Sequence, residues 1–200
     1  RHLPIQPIKG QVSALQPDTS LSPLKTVLCH KGYATPSQGN YQCFGATFHR
    51  DKVCEQESSD DDIINLQQIQ KVYPQQDWAQ QLDLEQVTTN NAAVRGMSRD
   101  HLPIAGEVFA DDWIIDNVDK NTRCLKPKSP GQEYPKNPYQ GLFVLTGLGA
   151  RGLTTAPLLA DHLSRLVLGQ APKLPAALYQ ATAANRYQIR ALKRNQLTPK

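Results

Sequence analysis

A glycine-rich turn with an arginine inside it is the segment of this 200-residue chain best suited to bind a ligand. Residues 147–152 read Gly-Leu-Gly-Ala-Arg-Gly, after an apolar, strand-like run and before a helical pattern that begins at Leu153. Glycines let the backbone turn sharply, and the first amides of a helix have no partner within that helix. Because the positive end of the helix dipole lies behind them, such amides attract anions and electron-rich oxygens.

The spacing Gly-x-Gly-x-x-Gly also occurs in dinucleotide-binding turns. Those turns require a second strand after the helix and an acidic residue about 20 positions further on. Neither is present here, because residues 169–175 contain the glycine and prolines of a helix stop and a further helical pattern follows. Two interpretations therefore stay open: a ligand site, or a turn at which a helix packs closely on a strand.

Two arginines are candidate substrate-binding residues. Arg95 ends an apolar run, and Arg151 lies inside the glycine turn. A charge near apolar groups is costly unless an anion accompanies it, and a guanidinium can bind a carboxylate through two parallel hydrogen bonds. The alternative for each is an ordinary ion pair with one of the 18 acidic side chains.

No side chain is assigned as a catalytic acid or base, and no metal site is predicted. Asp100 and His101 are neighbours on an extended segment and should point to opposite faces, so Asp100 is expected to organise its own turn through a side-chain to backbone hydrogen bond. Ser98 and Ser164 lack the glycine-flanked turn of a nucleophilic serine. The four cysteines match no metal or disulfide spacing, which favours free thiols and a cytoplasmic location.

The last helical pattern carries a cluster of cations that could contact the phosphates of a nucleic acid, although solvated basic faces are common. Its members are Arg186, Arg190, Lys193 and Arg194. The formal net charge of +4 permits such a partner without requiring it. No apolar run is long enough to span a membrane, and the missing initiating Met and signal core lead us to expect a piece of a longer protein.

Local patterns predict an α+β fold: a mostly antiparallel sheet with flanking helices. Strands are expected at 11–15, 26–29, 32–35, 41–48, 84–97, 113–115 and 142–146, with a turn at Pro17–Pro23. Helices are expected at 61–73, with Ser59 or Asp60 as N-cap, at 153–168 and at 176–194. The segment 99–106 reads as turn-rich and 119–139 as a long loop. We divide the chain into residues 1–139 and residues 140–200.

In this order, the segments resemble the flavin-dependent amine and amino-acid oxidases of the D-amino-acid oxidase superfamily, glycine oxidase and its relatives in particular. The similar segments are Pro7–Val12, Gly32–Pro36, Gly45–Phe48, Val94–Arg95, Arg99–Gly106 and Gly147–Pro157. Within the superfamily, Ser98–Pro103, Gly149–Leu153 and Ala156–Leu158 are most similar to the oxidoreductase half of bifunctional tRNA-modifying proteins that act on wobble uridine.

The resemblance implies the substrate-domain part of such a fold plus its C-terminal strand and helix, without the N-terminal Rossmann βαβ unit. It implies FAD as cofactor, with the flavin edge at Gly147, Leu148, Gly149, Ala150, Arg151, Gly152 and Leu153. Arg95 and Arg151 would then bind a substrate carboxylate. The chain by itself would lack most of the FAD site and be inactive, and surface left uncovered could drive dimerisation.

The implied substrate is 5-carboxymethylaminomethyl(-2-thio)uridine at the tRNA wobble position, which carries an N-substituted glycine. Its oxidation would release glyoxylate and leave the aminomethyl form, which a separate methyltransferase half would methylate with S-adenosylmethionine. Two alternatives remain. One is a small-molecule amine oxidase of the glycine or sarcosine type, and the other is a nucleic-acid-binding module without catalysis.

Overall fold

Two units, each with its own core, make up the computed structural model, which describes residues 3–16, 24–29 and 31–197. The N-terminal unit is Pro7–Arg95, and the C-terminal unit joins Arg1–Gln6 to Gly96–Lys200. The boundary thus falls after Arg95 instead of at 139/140. The reason is a strand pairing: β7 (Ile104–Glu107) is antiparallel to β8 (Phe143–Thr146), so the chain from 96 onward packs with the C-terminal residues.

Most of a six-stranded sheet belongs to the N-terminal unit. Its strands are β1 (Ile5–Leu15), β2 (Leu28–Cys29), β3 (Tyr33–Ala34), β4 (Gln42–Gly45), β5 (His49–Arg50) and β6 (Val87–Ser98). The order is β2-β3-β4-β1-β5, with β6 also paired to β1. The predicted strands in this region are present, and β2, β3 and β4 are shorter than expected. β1 begins six residues earlier than predicted, β5 was not predicted, and Leu84–Gln86, predicted as the start of a strand, is a 3-10 helix. The turn predicted at Pro17–Pro23 lies outside the described residues.

Helix α1 (Ser59–Val72) covers one face of this sheet. Leu66 and Ile69 pack against Leu15, Ala34 and Phe44, which are all buried. The N-cap is Ser58, one residue before the predicted position, and its hydroxyl accepts a hydrogen bond from the Asp60 amide. Acidic residues fill the first turn, as the helix dipole favours. A short helix α2 (Asp77–Gln80) follows and adds Ala79 to the same core.

The C-terminal unit contains β7, β8 and four helices. They are α3 (Asp111–Asn117), α4 (Gly152–Val167), α5 (Ala176–Thr182) and α6 (Arg186–Lys193). The strand predicted at 113–115 is wrong, because the segment belongs to α3. Ile114 and Val118, four positions apart as on one face of a helix, pack together with Leu197. The turn-rich interpretation of 99–106 missed β7. The helix predicted at 176–194 is broken, because Ala183 forms a bridge with Ala105 of β7 instead of continuing the helix.

The segment 119–139 contains no helix or strand, as predicted, and side chains hold it in place. The Trp113 indole donates to the Pro135 carbonyl at 2.7 Å, and the Lys126 ammonium donates to the carbonyls of Ile115 and Asp116 at 2.9 Å each. Because those carbonyls belong to the last turn of α3, Lys126 acts as a cation at the helix C-terminus. The loop is therefore anchored to α3 at two places.

Candidate functional site

The glycine turn joins β8 to α4 in the C-terminal unit. Gly147 and Gly149 have φ angles of +67° and +57°, in the left-handed region that favours glycine, and residues Gly149–Arg151 form a 3-10 turn. A Cβ on Gly147 would lie 3.2 Å from Cδ1 of Ile5. The turn therefore needs glycine at position 147 for both backbone conformation and packing. Of the seven residues predicted to contact a flavin, Gly147–Arg151 lie in this turn, and Gly152 and Leu153 begin α4.

The beginning of α4 is open to a ligand. No side chain caps it, and Ala150, Arg151 and Leu153 are exposed. The Thr155 hydroxyl donates to the Arg151 carbonyl at 2.9 Å, so it does not occupy the helix amides. Within the described ranges, the Arg151 side chain has no hydrogen bond or ion pair. A helix start without a side-chain cap and one unpaired guanidinium make this end suitable for an anionic or electron-rich edge.

Arg95 occupies a close-fitting position on β6 in the N-terminal unit. Its guanidinium carbon lies 5.4 Å from the ring centroid of Phe48, and a Cβ on Gly10 would lie 3.0 Å from its Nη2 atom. The Nε atom is buried and has no hydrogen-bond partner. No carboxylate pairs with Arg95 anywhere in residues 3–16, 24–29 and 31–197, so the ordinary ion pair considered as the alternative is not found there.

Two hydrogen bonds fix the chain beside Arg95. The Gln11 amide donates to the Thr47 hydroxyl at 2.9 Å, and the Thr47 amide donates to the Gln11 carbonyl at 3.1 Å. They hold Thr47 and Phe48 against β1. Tyr33 belongs to the same electrostatic environment: burial and Cys43 raise the pKa of its hydroxyl, while the Arg95 charge opposes that rise. The sequence signal for this arrangement is Gly10. A glycine in the middle of a strand often marks a place where another group comes close to the backbone, and here that group is the Arg95 guanidinium.

A buried polar network lies between β1 and α1, and sequence reasoning missed it. The Lys9 ammonium donates to Asp61 at 2.9 Å, and His49 contacts the other oxygen of that carboxylate. The Asp62 carboxylate accepts from Ser13 at 2.6 Å and from Gln11 at 2.8 Å. Although burial raises the pKa of Asp61, the hydrogen bonds from Lys9 and His49 hold it below its usual range. The alternation Lys-x-Gln-x-Ser on β1 was the available signal.

The four cations predicted on one side of the last helix differ in their surroundings. Arg186 is only 3% exposed, and its guanidinium donates to both oxygens of Asp100 and to the carbonyls of Leu102 and Pro103. It has no donor available for a nucleic acid, so the prediction of a tRNA contact is corrected at this position. Arg190, Lys193 and Arg194 are exposed.

Asp100 organises its turn, as expected, because its carboxylate accepts from the Leu102 amide at 3.3 Å and from the Ser98 hydroxyl at 3.1 Å. Although burial raises the pKa of this carboxyl, hydrogen bonds from Arg186, Tyr187 and Arg190 hold it far below its usual range. His101 follows with a φ of +59°, a turn conformation. This carboxylate stays ionised and is committed to arginines, which suits a structural role better than proton transfer.

Among the residues whose positions are described, no group of three or more His, Cys, Asp or Glu side chains is arranged to hold a metal ion. The same residues include no helix with the length and apolar character needed to cross a membrane. The cysteines of the described segments are all free thiols.

The chain belongs to the DAO family of FAD dependent oxidoreductases, whose family model matches residues 1–166. It is 35% identical over 192 residues to the tRNA 5-methylaminomethyl-2-thiouridine biosynthesis bifunctional protein MnmC of Aeromonas salmonicida (strain A449), covering 95% of this chain and 28% of the relative. The MnmC protein of Pseudoalteromonas translucida (strain TAC 125) is 37% identical over 196 residues, covering 98% and 28%. The chain therefore spans about 28% of the length of these relatives.

Among solved structures, glycine oxidase from Geobacillus kaustophilus superposes with a TM-score of 0.60 at 20% sequence identity. The superposition covers 88% of this chain and 38% of that one. The predicted fold class and the resemblance to the D-amino-acid oxidase superfamily are confirmed. Arg95 and Arg151 belong to different units of the chain.

Proposed function

We propose that this chain is part of an FAD-dependent oxidoreductase that oxidises the N-substituted glycine of 5-carboxymethylaminomethyl(-2-thio)uridine at the tRNA wobble position. The observation that carries the proposal is the guanidinium of Arg95, packed under Phe48 with its Nε atom buried and no carboxylate partner among the described residues. A cation held in this way favours binding of an anion, and a carboxylate matches its planar donors. The similarity to MnmC proteins supports a modified tRNA as the source of that carboxylate.

The glycine turn fits the cofactor that the family uses. Its uncapped helix start, exposed residues and positive-φ glycines would hold the electron-rich edge of the flavin ring, with Gly147, Leu148, Gly149, Ala150, Arg151, Gly152 and Leu153 as the contacting residues. When bound, FAD supplies the acceptor for the two electrons and the hydrogen removed from the substrate. Arg151 adds a positive charge beside the same edge.

Arg95 contributes binding and orientation. Two hydrogen bonds to the carboxylate would fix the direction of the adjacent methylene group, so the C–H bond to be broken is held in one position. Loss of two electrons and two protons from the CH₂–NH unit gives an imine, and addition of water then splits it into glyoxylate and the primary amine on the uridine. No carboxylate or histidine of this chain is required as a strong base in that scheme.

We propose tRNA as partner through the exposed cations of the last helix, Arg190, Lys193 and Arg194, and a cytoplasmic location follows from such a substrate. Methylation of the product with S-adenosylmethionine would belong to a separate part of the relatives' length. A small-molecule glycine or sarcosine oxidase would need the Arg95 site but not these cations. A binding module without catalysis would need the cations but not the Arg95 site.

Substitution of Arg95 tests the proposal. In the full-length protein, Arg95→Lys should lower kcat/KM for glyoxylate release from the modified tRNA by about 10- to 100-fold, because a hydrogen bond to a charged group contributes about 1.5–3 kcal/mol. Binding of the tRNA should be unchanged. Arg165→Lys is the matched control, since Arg165 is paired with Asp161 on α4. Equal turnover by both variants would remove Arg95 from the mechanism.

A further inference from the structure

We propose that a cleft in the C-terminal unit binds the phosphate backbone of RNA through Arg99, Arg190 and Arg194. The inference rests on the proposed function, which makes tRNA the substrate, and it adds the surface on which the RNA lies. The cleft has a volume of about 890 Å³, and residues of α6 and of the first turn of α3 line it. Besides the three arginines, Phe109, Tyr139 and Tyr187 line it.

Arg190 is held in position at this cleft by an ion pair behind it. The buried Arg186 guanidinium donates to Asp100 from Nε to Oδ2 at 3.0 Å and from Nη2 to Oδ1 at 2.8 Å. Arg190 donates to the same Oδ2 at 2.6 Å from Nη1, and its side chain is 46% exposed. The single negative charge of Asp100 is thus shared by two guanidinium groups. The excess positive charge lies at Arg190, where solvent reaches it.

Tyr187 strengthens this arrangement. The guanidinium carbons of Arg186 and Arg190 lie 4.6 Å and 5.3 Å from its ring centroid, and its hydroxyl accepts from the Asp100 amide at 3.2 Å. Cation–π contact on a ring and an ion pair to a carboxylate together restrict a long side chain. Arg190 is therefore preorganised, and less conformational freedom is lost when it meets a phosphate.

Arg99 and Arg194 supply two further positive charges on the lining of the cleft. Both are exposed, and neither has an ion pair with the carboxylates of the described residues. Asp111 and Asp112 also line the cleft, and they lie in the first turn of α3, where the helix dipole stabilises them. Asp111 also accepts from Gln188 at 2.8 Å. Asp111 and Asp112 both have interactions within the protein, whereas Arg99 and Arg194 have no ion pair with a described carboxylate.

Compensation of the α6 dipole is the competing explanation for the cations. It accounts for Arg190 and Lys193, which lie in the last turn of that helix. Arg99 does not belong to α6, because it follows β6 in the turn before β7. Cations from two separate segments converge on one cleft, and dipole compensation does not explain that convergence. A regularly spaced polyanion such as an RNA strand does.

Salt dependence of tRNA binding tests the proposal in the full-length protein. The logarithm of the association constant should fall with the logarithm of salt concentration, and the slope should lose about 0.7 to 0.9 for each phosphate contact removed. We therefore expect Arg99→Gln combined with Arg194→Gln to flatten the slope by about 1.5, and addition of Arg190→Gln to flatten it further. The double variant leaves the Asp100 ion pairs intact, so it keeps the test valid if the triple variant folds poorly.

Arg165→Gln removes one positive charge from α4, outside the cleft, and is the control for each single charge removed. A double variant with the slope and affinity of that control would overturn the proposal. Displacement of the tRNA by polyglutamate with an equal dependence on the three arginines would also overturn it, because the cleft would then bind an acidic polypeptide.

A second substrate separates this inference from the proposed reaction. The free nucleoside 5-carboxymethylaminomethyluridine has no phosphate backbone, so wild type and cleft variants should oxidise it equally while KM for tRNA rises in the variants. If the nucleoside is oxidised but the cleft variants bind tRNA as the wild type does, the RNA-binding proposal is wrong and the proposed reaction stands. If the cleft variants bind tRNA more weakly but neither substrate is oxidised, the proposed reaction is wrong and the RNA-binding proposal stands.

Discussion

Arg186 and Asp100, 86 positions apart in the chain, form a two-pronged ion pair in which Arg186 is almost wholly buried. The pair ties the turn before β7 to the first turn of α6. Breaking a buried ion pair from one side leaves an uncompensated charge, which costs far more than the loss of an exposed pair.

Asp100→Asn should lower the free energy of unfolding by about 3 kcal/mol, the low end for a buried pair, because Arg186 keeps its bonds to the carbonyls of Leu102 and Pro103. Urea denaturation followed by circular dichroism measures the change. Asp161→Asn breaks only exposed pairs with Arg165 and Lys173 and should shift the midpoint little. Equal shifts in the two variants would contradict the prediction.

His162 should make stability depend on pH. It is fully buried in α4, neither ring nitrogen has a hydrogen-bond partner, and its ring meets Tyr179 edge-on at 5.1 Å. Burial lowers the pKa of the imidazole, while the neighbouring Asp161 opposes that shift. The unfolded chain therefore binds a proton more readily than the folded one. The contribution of His162 is complete above about pH 6.5 and is lost as the pH falls.

His162→Phe keeps an aromatic ring beside Tyr179 and removes the titration. Between pH 7.5 and 5.5 the wild type should lose more unfolding free energy than the variant, by at most about 1.4 kcal/mol for each pH unit below 6.5. Denaturant titrations at a series of pH values give both curves. Parallel curves would show that the imidazole is hydrated or paired in the folded protein.

Gly147→Ala and Gly169→Ala separate backbone strain from packing. Both glycines have a φ of +67°, but a Cβ on Gly169 meets nothing within 4 Å, whereas one on Gly147 would lie 3.2 Å from Ile5. Each variant should lose about 1–2 kcal/mol through its left-handed backbone. The Gly147 variant should lose at least about 1 kcal/mol more through overpacking. Thermal unfolding of the two variants checks the difference, and equal values would mean that Ile5 moves aside freely.

The 200-residue chain alone should purify without colour. In its described residues, the glycine turn is the one segment suited to a flavin, and the two sheets show no strand–helix–strand unit of the kind that holds a dinucleotide pyrophosphate. A visible spectrum after addition of FAD and gel filtration measures retention. A stoichiometric, saturable flavin band would prove the prediction wrong.

Self-association is expected through the outer side of α4. Leu153 is 98% exposed, and Leu158, Val167 and Leu168 are also exposed. A surface with this much apolar area favours contact with a second copy. Sedimentation velocity should show a dimer at high concentration, and Leu158→Glu with Leu168→Glu should return it to a monomer. A wild type that stays monomeric throughout the concentration series would exclude this dimer.

Sequence reasoning worked best where local physics decides the structure. The acidic first turn of α1 and the glycine turn after β8 are determined by neighbours in the chain. Arg95 was selected because an unpaired charge near apolar groups is costly, and its Nε atom is buried without a hydrogen-bond partner; its binding of a carboxylate stays a prediction.

Long-range contacts decided the cases that the sequence left unresolved. Arg186 seemed equivalent to Arg190 on a helical projection, and only its contact with Asp100 separates them. The segment around Trp113 has residues that favour strands, yet burial of Ile114 against Leu197 stabilises a helix. The polar residues of β1 pair with α1 residues about 50 positions away, a distance at which no local pattern operates.

The helices after α4 matter for how this domain should be delimited. The family profile ends at residue 166, but Leu174 completes the core with Leu159, Ala183 lies along the edge of β7, and Leu197 fills the space beside Val118. A truncation at residue 166 would remove Leu174, Ala183 and Leu197. It would also remove Arg186 and Arg190, the two ion-pair partners of Asp100. The C-terminal unit therefore needs the chain as far as Leu197, and a version that ends before this residue should be less stable.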